Sequence, residues 1–217
     1  RKELAMKALT VDAQGLLSLQ ELPIPSYGAC QALVKMRSCG VCSGTDMKLI
    51  HHTFKNFDTY PAILGHEGVG EVVEIGEKVE NLRRGDLVLL PFLEGKIGEY
   101  TPGWGAYSEY ALVGDAEAYI RCGMGPGTKQ WSEGYLAQTV LGPKDRVNPV
   151  EAAMIVTFRE VLSAIRRFGF QPNQNIVVLG AGPVGLCFTR FLKLLGIKTV
   201  ITTDILDEKV ETALEMG

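Results

Sequence analysis

The 217-residue chain contains no apolar run of the roughly 18 residues that a membrane-spanning helix requires. It has no basic excess either. The formal net charge is -3, so the electropositive footprint of a DNA-, RNA- or anionic-membrane-binding protein is missing, and small molecules are the expected partners. The first residues lack the positively charged start, apolar core and cleavage site of a secretory leader, and the expectation is a cytoplasmic protein. Disulfide scaffolding is excluded in the same way: five cysteines is an odd number, and the one close pair, Cys39 and Cys42, sits in a chain far larger than the small secreted domains that depend on bridges. Internal repeats and low-complexity tracts are absent. What is present, 46% hydrophobic and 22% charged residues, suffices for a real hydrophobic core.

The first 115 residues are rich in glycine and β-branched residues. Short apolar runs at Leu33–Met36, Gly70–Ile75 and Leu87–Leu90 are separated by turn signals such as Arg84-Gly85-Asp86, which predicts an irregular β-rich domain over about residues 1–150. Within it, the segment 118–146 carries Gly123, Gly125, Pro126, Gly127, Gly134, Gly142 and Pro143 around Trp131 and Tyr135 and reads as a long inserted loop. From Pro149 to Phe168 the apolar residues follow a helical period and Gly169 supplies the stop. A connecting helix is therefore expected over 151–171. The aromatics Trp104, Trp131 and Tyr135 suit either the wall of a substrate cleft or the core.

The run Ile176-Val177-Val178-Leu179 leads directly into Gly180-Ala181-Gly182-Pro183-Val184-Gly185. An uninterrupted apolar run of this length predicts a parallel strand covered on both faces. The apolar positions Leu186, Phe188, Phe191, Leu192 and Leu195 then mark a helix, and Thr199–Thr203 a second strand ending at Asp204. This is GxGxxG in the context that gives it meaning. Gly180 permits the tight turn, Gly182 lets the backbone approach a pyrophosphate, and Gly185 lets helix and strand pack closely, with the phosphates at the helix N-terminus. Asp204, 19 residues beyond Gly185, is placed to accept hydrogen bonds from ribose hydroxyls and to repel a 2′-phosphate, so NAD is expected over NADP. The competing reading of Asp204 is a cap for the next helix, a role for which Asp207 also competes.

Cys42, His66 and Glu67 are the candidate metal ligands. A thiolate and an imidazole suit zinc, and a catalytic site uses about three protein ligands with one position left open. Spacing alone does not bring the three together, and isolated Cys and His residues commonly serve as core or surface residues.

Gly40-Val41-Cys42-Ser43-Gly44-Thr45-Asp46, Pro61-Ala62-Ile63-Leu64-Gly65-His66-Glu67-Gly68-Val69-Gly70 and Gly85-Asp86-Leu87-Val88, followed in order by Tyr107-Ser108-Glu109-Tyr110, Pro149-Val150-Glu151-Ala152-Ala153 and the glycine fingerprint, closely resemble the medium-chain zinc-containing alcohol dehydrogenase family. The resemblance covers nearly the whole chain and is nearer the sorbitol and threonine dehydrogenase branch. It implies a mixed α/β fold: a GroES-like β-rich catalytic domain followed by a Rossmann-type doubly wound coenzyme domain. Over 172–217 that domain is expected to be incomplete, because one β-α-β unit with part of the next helix does not make a six-stranded sheet. It also implies one catalytic zinc held by Cys42 and His66 with Glu67 beside them, NAD as coenzyme, and a homodimer or homotetramer. The activity implied is hydride transfer between an alcohol or polyol and NAD.

This sequence departs from the family pattern in four places. Two residues, Ser43 and Gly44, separate Cys42 from Thr45 where relatives have one; Thr45 is the candidate hydroxyl for the substrate oxygen, with Ser43 as competitor. The position of a third zinc ligand reads Met154-Ile155-Val156-Thr157, which offers no ligand, and Thr157 is counted instead among the coenzyme-binding candidates with Gly180, Gly182, Pro183, Val184, Gly185 and Asp204. No cysteine occurs between Pro91 and Ala106, so no structural zinc is expected. Lys48 replaces the proton-relay histidine of relatives, leaving His51 or His52 as substitutes. Two other readings stay open at this point: a zinc-independent quinone or enone reductase of the same superfamily, and a non-catalytic dinucleotide-binding protein.

Overall fold

The computed structural model describes residues 5–216. In chain order the elements are β1 (Ala5–Val11), β2 (Leu17–Pro23), β3 (Gln31–Gly40), α1 (Ser43–Ile50), β4 (Ala62–Ile63), β5 (Glu67–Ile75), β6 (Asp86–Leu89), β7 (Thr101–Pro102), β8 (Tyr110–Gly114), α2 (Ala116–Arg121), α3 (Gly134–Ala137), β9 (Thr139–Pro143), α4 (Pro149–Ala152), α5 (Met154–Phe168), β10 (Asn175–Leu179), α6 (Pro183–Leu194), β11 (Thr199–Thr203) and α7 (Asp207–Glu215). They form two compact units that divide between Met154 and Ile155. No helix among the described residues is long and apolar enough to cross a membrane.

The first unit is built on two sheets. One is four-stranded in the order β2-β1-β4-β7; the other is five-stranded in the order β8-β3-β5-β6-β9, with each neighbouring pair antiparallel. Both contribute to one core: Met6 and Ala8 of β1 and Ile63 of β4 pack with Ala32 and Val34 of β3, Val72 of β5, Val88 of β6 and Val113 of β8. Alternation of apolar and polar residues along these strands puts one face inward. The register of β3 on β5 shifts twice, between Leu33 and Val34 and between Met36 and Ser38. Such irregularities re-aim the residues that follow them, and here those residues lead to Cys42.

The segment 118–146, expected as an inserted loop, contains the end of α2, the short helix α3 and the edge strand β9, which pairs with β6 from Asp86↔Pro143 to Leu89↔Thr139. Tyr135 is buried and stacks between Tyr119 and Phe92, with ring centroids at 4.7 and 5.8 Å. Trp131 stands edge-on to both Tyr119 and Tyr135. The frequent Gly and Pro residues conceal these elements: β9 is only five residues long and ends in Gly142-Pro143, a composition that an edge strand tolerates and a central strand does not.

Asp115 pins this region. It caps α2 through the Ala118 N–H (3.0 Å) and accepts from the backbone N–H groups of Glu80 (2.9 Å) and Asn81 (3.0 Å) and from the Asn81 side-chain amide (3.1 Å). Burial pushes its carboxyl up, but the N–H donors of Asn81, Glu80 and Ala118 outweigh that and hold it below the usual range. Its stabilising contribution is therefore complete above about pH 4 and is lost as the pH falls through the depressed folded-state value. We expect Asp115→Ala to cost about 3 kcal/mol by denaturant unfolding at neutral pH, with the gap to wild type narrowing toward pH 2. An unchanged gap across that range would contradict this role.

In the second unit α5 presents Val161 and Ile165 to a core completed by Ile176 of β10, Cys187 and Leu192 of α6, and Ile197. The stretch expected as one helix is two, α4 and α5, with Ala153 between them; Asn148 caps the first and Gly169, at φ +65°, closes the second. Strands β10 and β11 are parallel, from Asn175↔Thr199 to Leu179↔Thr203. Val177, Leu179 and Ile201 are exposed, so β10 is covered on one face here, where the apolar run predicts cover on both.

Candidate functional site

The site in the first unit arises where β3 ends and β5 begins. Gly40 is paired with Glu67 across the ladder, and a side chain at position 40 would collide with the Glu67 carboxylate; the missing Cβ is what lets Glu67 fold back toward Cys42. Cys42 is the N-cap residue of α1 and its side chain makes no capping hydrogen bond, so its sulfur is not committed to the helix. His66 precedes β5 directly. The sulfur of Cys42, an imidazole nitrogen of His66 and a carboxylate oxygen of Glu67 all lie within 4.8 Å of one another. His66 Nε2 stands 3.7 Å from Glu67 Oε1, close to the spacing of about 3.4 Å expected for two ligands bound at about 2.1 Å to one tetrahedral ion. Thiol, imidazole and carboxylate are all zinc donors.

Behind His66 stands a residue that sequence reasoning quoted but gave no role. Asp46 is only 5% exposed. Its Oδ2 accepts from the Tyr107 hydroxyl (2.7 Å) and the Cys42 N–H (3.1 Å), while Oδ1 stands 3.7 Å from His66 Nδ1. Both Oδ1 and Nδ1 are buried without a hydrogen-bond partner. A buried pair left this way is expensive, and a small rotation that turns Nδ1–H onto Oδ1 satisfies both while committing Nε2 to the cluster. Burial pushes the Asp46 carboxyl up, but the His66 imidazole, the Tyr107 hydroxyl and the Cys42 N–H outweigh it and the net shift is downward. Burial and the Asp46 carboxylate both raise Tyr107, which stays a neutral donor. Its hydroxyl lies also 3.0 Å from the Gly40 carbonyl.

Ser43 and Thr45 follow Cys42 in the first turn of α1, Ser43 exposed and Thr45 half-buried. Gly44, between them, leaves the Cys42 sulfur open on that side, since a Cβ there would approach it only to 3.9 Å. His51 and His52 are exposed, and the His52 ring lies tilted at 35° against Tyr60 with centroids 4.0 Å apart. Cys39 is separate from the cluster: burial pushes its thiol up to about 12, and the thiol donates to the Gly40 carbonyl at 3.6 Å.

The second unit carries the glycine turn. Gly180 has φ +100°, and a side chain on Gly185 would run into the Gly180 carbonyl, so helix α6 and strand β10 approach as closely as backbone allows. Nothing lies within 4 Å of a Cβ built on Gly182. That residue is the N-cap of α6, with Pro183 in the first turn and no side-chain cap, which leaves first-turn N–H groups free for an anion. Asp204 ties the turn to β11: Oδ2 accepts from Ala181 N–H at 2.8 Å and Oδ1 from Leu206 N–H at 3.1 Å. These two N–H groups hold its carboxyl below the usual range. Asp204 does not cap α7, whose N-cap is Leu206, and a carboxylate has roughly four acceptor positions, so lone pairs remain for ribose hydroxyls. Val184 is exposed on α6, and Thr157 is buried on α5.

The sequence profile of the alcohol dehydrogenase GroES-like domain matches residues 28–152, the span that delivers Cys42, His66, Glu67, Asp46 and Tyr107. The chain is 31% identical over 221 residues to an alcohol dehydrogenase of Geobacillus stearothermophilus, covering 98% of this chain and 61% of that protein. The chain belongs to the medium-chain zinc-containing alcohol dehydrogenase family. A sorbitol dehydrogenase of Mus musculus is 30% identical over 215 residues, covering 97% of this chain and 58% of that one. Among solved structures, an alcohol dehydrogenase of Escherichia coli CFT073 complexed with NADH superposes with a TM-score of 0.74 at 25% identity, over 98% of this chain and 60% of that one. This family member thus spans about three fifths of the length of the relatives it matches.

Proposed function

We propose that the protein is an oxidoreductase that interconverts an alcohol or polyol with its ketone or aldehyde, using NAD and one zinc ion held by Cys42, His66 and Glu67. The convergence of those three donors carries the reading. It also weighs against a metal-free reductase, which has no use for a thiol, an imidazole and a carboxylate gathered at one point. Zinc in such a site supplies Lewis acidity that eases deprotonation of a hydroxyl.

The chain's own residues do the rest. Asp46 orients the imidazole by accepting Nδ1–H, and Tyr107 fixes Asp46. Thr45, or Ser43 in its place, accepts the proton of the substrate hydroxyl and hands it toward solvent. Gly180, Gly182, Pro183, Val184 and Gly185 seat the pyrophosphate at the start of α6. Asp204 receives the ribose hydroxyls and disfavours a 2′-phosphate. Thr157 is assigned to the coenzyme as well.

Two measurements bear on this reading. NAD-linked oxidation by the whole protein across secondary alcohols, polyols and amino alcohols is expected to disappear on chelation and to return with added zinc; turnover that persists in demonstrably metal-free protein would favour the zinc-independent reductase. For the supporting residue, Asp46→Asn is expected to weaken zinc affinity by about 10–100-fold, the range typical of outer hydrogen-bond partners of a metal-bound histidine, with Tyr107→Phe milder. Competition against a chelator of known affinity checks both, and equal zinc affinity in wild type and Asp46→Asn would remove Asp46 from the account.

A further inference from the structure

The first unit holds a cavity of about 440 Å³ walled by Phe54, Phe57, Phe92 and Trp104, with Asn56 and Ser132 as its polar side chains. Its size falls within the range of about 300–1,000 Å³ usual for small-molecule sites. Trp104 belongs to both features: it lines the cavity, and its ring centroid lies 5.5 Å from that of His66. Phe54 meets the same indole edge-on at 5.6 Å. Ser132 Oγ already accepts from the Gly134 N–H at 3.2 Å, and Asn56 and Ser132 are the two polar side chains set among four aromatic ones.

Trp104 is held where it is at a cost. Its φ is +66°, a left-handed conformation that bulky residues avoid, and the side chain remains 41% exposed, so burial in the core does not offset that strain. The backbone around it is clamped to the segment that delivers His66: Gly103 N–H donates to Ile63 O (2.7 Å), Ala106 N–H to Gly65 O (2.9 Å) and Tyr107 N–H to Leu64 O (2.9 Å), and Leu93 N–H donates to Trp104 O (2.8 Å). The Trp104 backbone is thereby fixed relative to the segment that carries His66. Strained residues that are over-determined in this way concentrate at functional sites.

We infer that this cavity is the specificity pocket for the non-reacting arm of the substrate, that Trp104 and Phe54 set its selectivity, and that it takes an aryl or branched apolar group in preference to a polyhydroxylated chain. The inference rests on the reading of Cys42, His66 and Glu67 as the reaction centre. An aryl arm gains apolar contact and ring stacking against four aromatic walls. The hydroxyls of a hexitol exchange water for ring faces, and Asn56 and Ser132 replace only a few of the hydrogen bonds lost.

The test compares 1-phenylethanol with sorbitol as substrates of the whole protein, in wild type, Trp104→Ala and the conservative Trp104→Phe. Wild type is expected to favour 1-phenylethanol by at least about tenfold in kcat/KM. Trp104→Ala is expected to lower that value roughly 30-fold, chiefly through KM, while sorbitol changes less than about twofold. A second readout does not depend on turnover. The emission difference between wild type and Trp104→Phe isolates the indole at position 104, and 1-phenylethanol should change it saturably while sorbitol does not. Preference for sorbitol, equal losses for both substrates in Trp104→Ala, or no saturable emission change would each overturn the inference. A saturable change without turnover of either alcohol would support the pocket and overturn the dehydrogenase reading.

Discussion

Replacing Cys42 with alanine is expected to leave a folded protein that has lost its zinc and about four orders of magnitude in kcat/KM for alcohol oxidation. The fold should survive because Cys42 contributes its side chain neither to a core cluster nor to a helix cap; the adjoining contacts that matter, Cys42 N–H to Asp46 and the carbonyl bonds that start α1, are made by its backbone. The function should not survive. With the sulfur gone, the described cluster is reduced to His66 and Glu67, and two donors do not make the roughly three-ligand shell that holds a catalytic zinc. Lewis-acid stabilisation of developing charge is worth several kcal/mol, and about 5 kcal/mol corresponds to roughly four powers of ten in rate. Steady-state kinetics with metal analysis on the same samples checks this, and Cys42→Ala protein that retains both zinc and turnover would refute it.

Gly185→Val is expected to weaken coenzyme binding strongly. The position offers no escape, because the atom that a Cβ would strike is the Gly180 carbonyl oxygen, part of the turn itself, and not the flexible end of a side chain. Either α6 moves away from β10 or the turn opens, and both displace the first-turn N–H groups on which the phosphates are proposed to sit. Overpacking of this kind costs about 1–3 kcal/mol, and a shift of the helix N-terminus removes charge-dipole stabilisation in addition. An NAD dissociation constant raised at least roughly 100-fold, with near-native unfolding of the first unit, is the expected outcome of calorimetric titration. Gly182→Ala provides the contrast: nothing lies within 4 Å of a Cβ there, so the fold should tolerate it and only the approach of the pyrophosphate should suffer. Comparable NAD affinities in wild type and Gly185→Val would contradict the assignment of the turn.

These contrasts also explain what could be read from the chain alone. The glycine turn was legible because its parts are contiguous: a strand of five residues, the turn, a helix and a second strand follow one another within about thirty positions, and each obeys a local rule. The pairing of Cys42 with His66 and Glu67 depended on the β3–β5 register, which two irregularities displace, so spacing could nominate the residues without bringing them together. Asp46 and Tyr107 are 61 positions apart, and no local pattern announces that one hydroxyl will hold the carboxylate that faces His66. Trp104 was legible as an aromatic residue of undecided role; its left-handed backbone between Gly103 and Gly105 and its place beside the imidazole are tertiary facts. The edge strand β9 was hidden by Gly142 and Pro143, which punctuate a loop and finish an edge strand equally well.

The most direct test of the account is the metal itself. Whole protein, purified without chelator and then exchanged with cobalt, is predicted to bind about one equivalent per chain and to show a thiolate-to-cobalt charge-transfer band in the near ultraviolet that is absent in Cys42→Ser and displaced by added zinc. Protein that takes up no metal, or a cobalt spectrum unchanged by Cys42→Ser, would contradict the proposal that Cys42, His66 and Glu67 form the zinc centre.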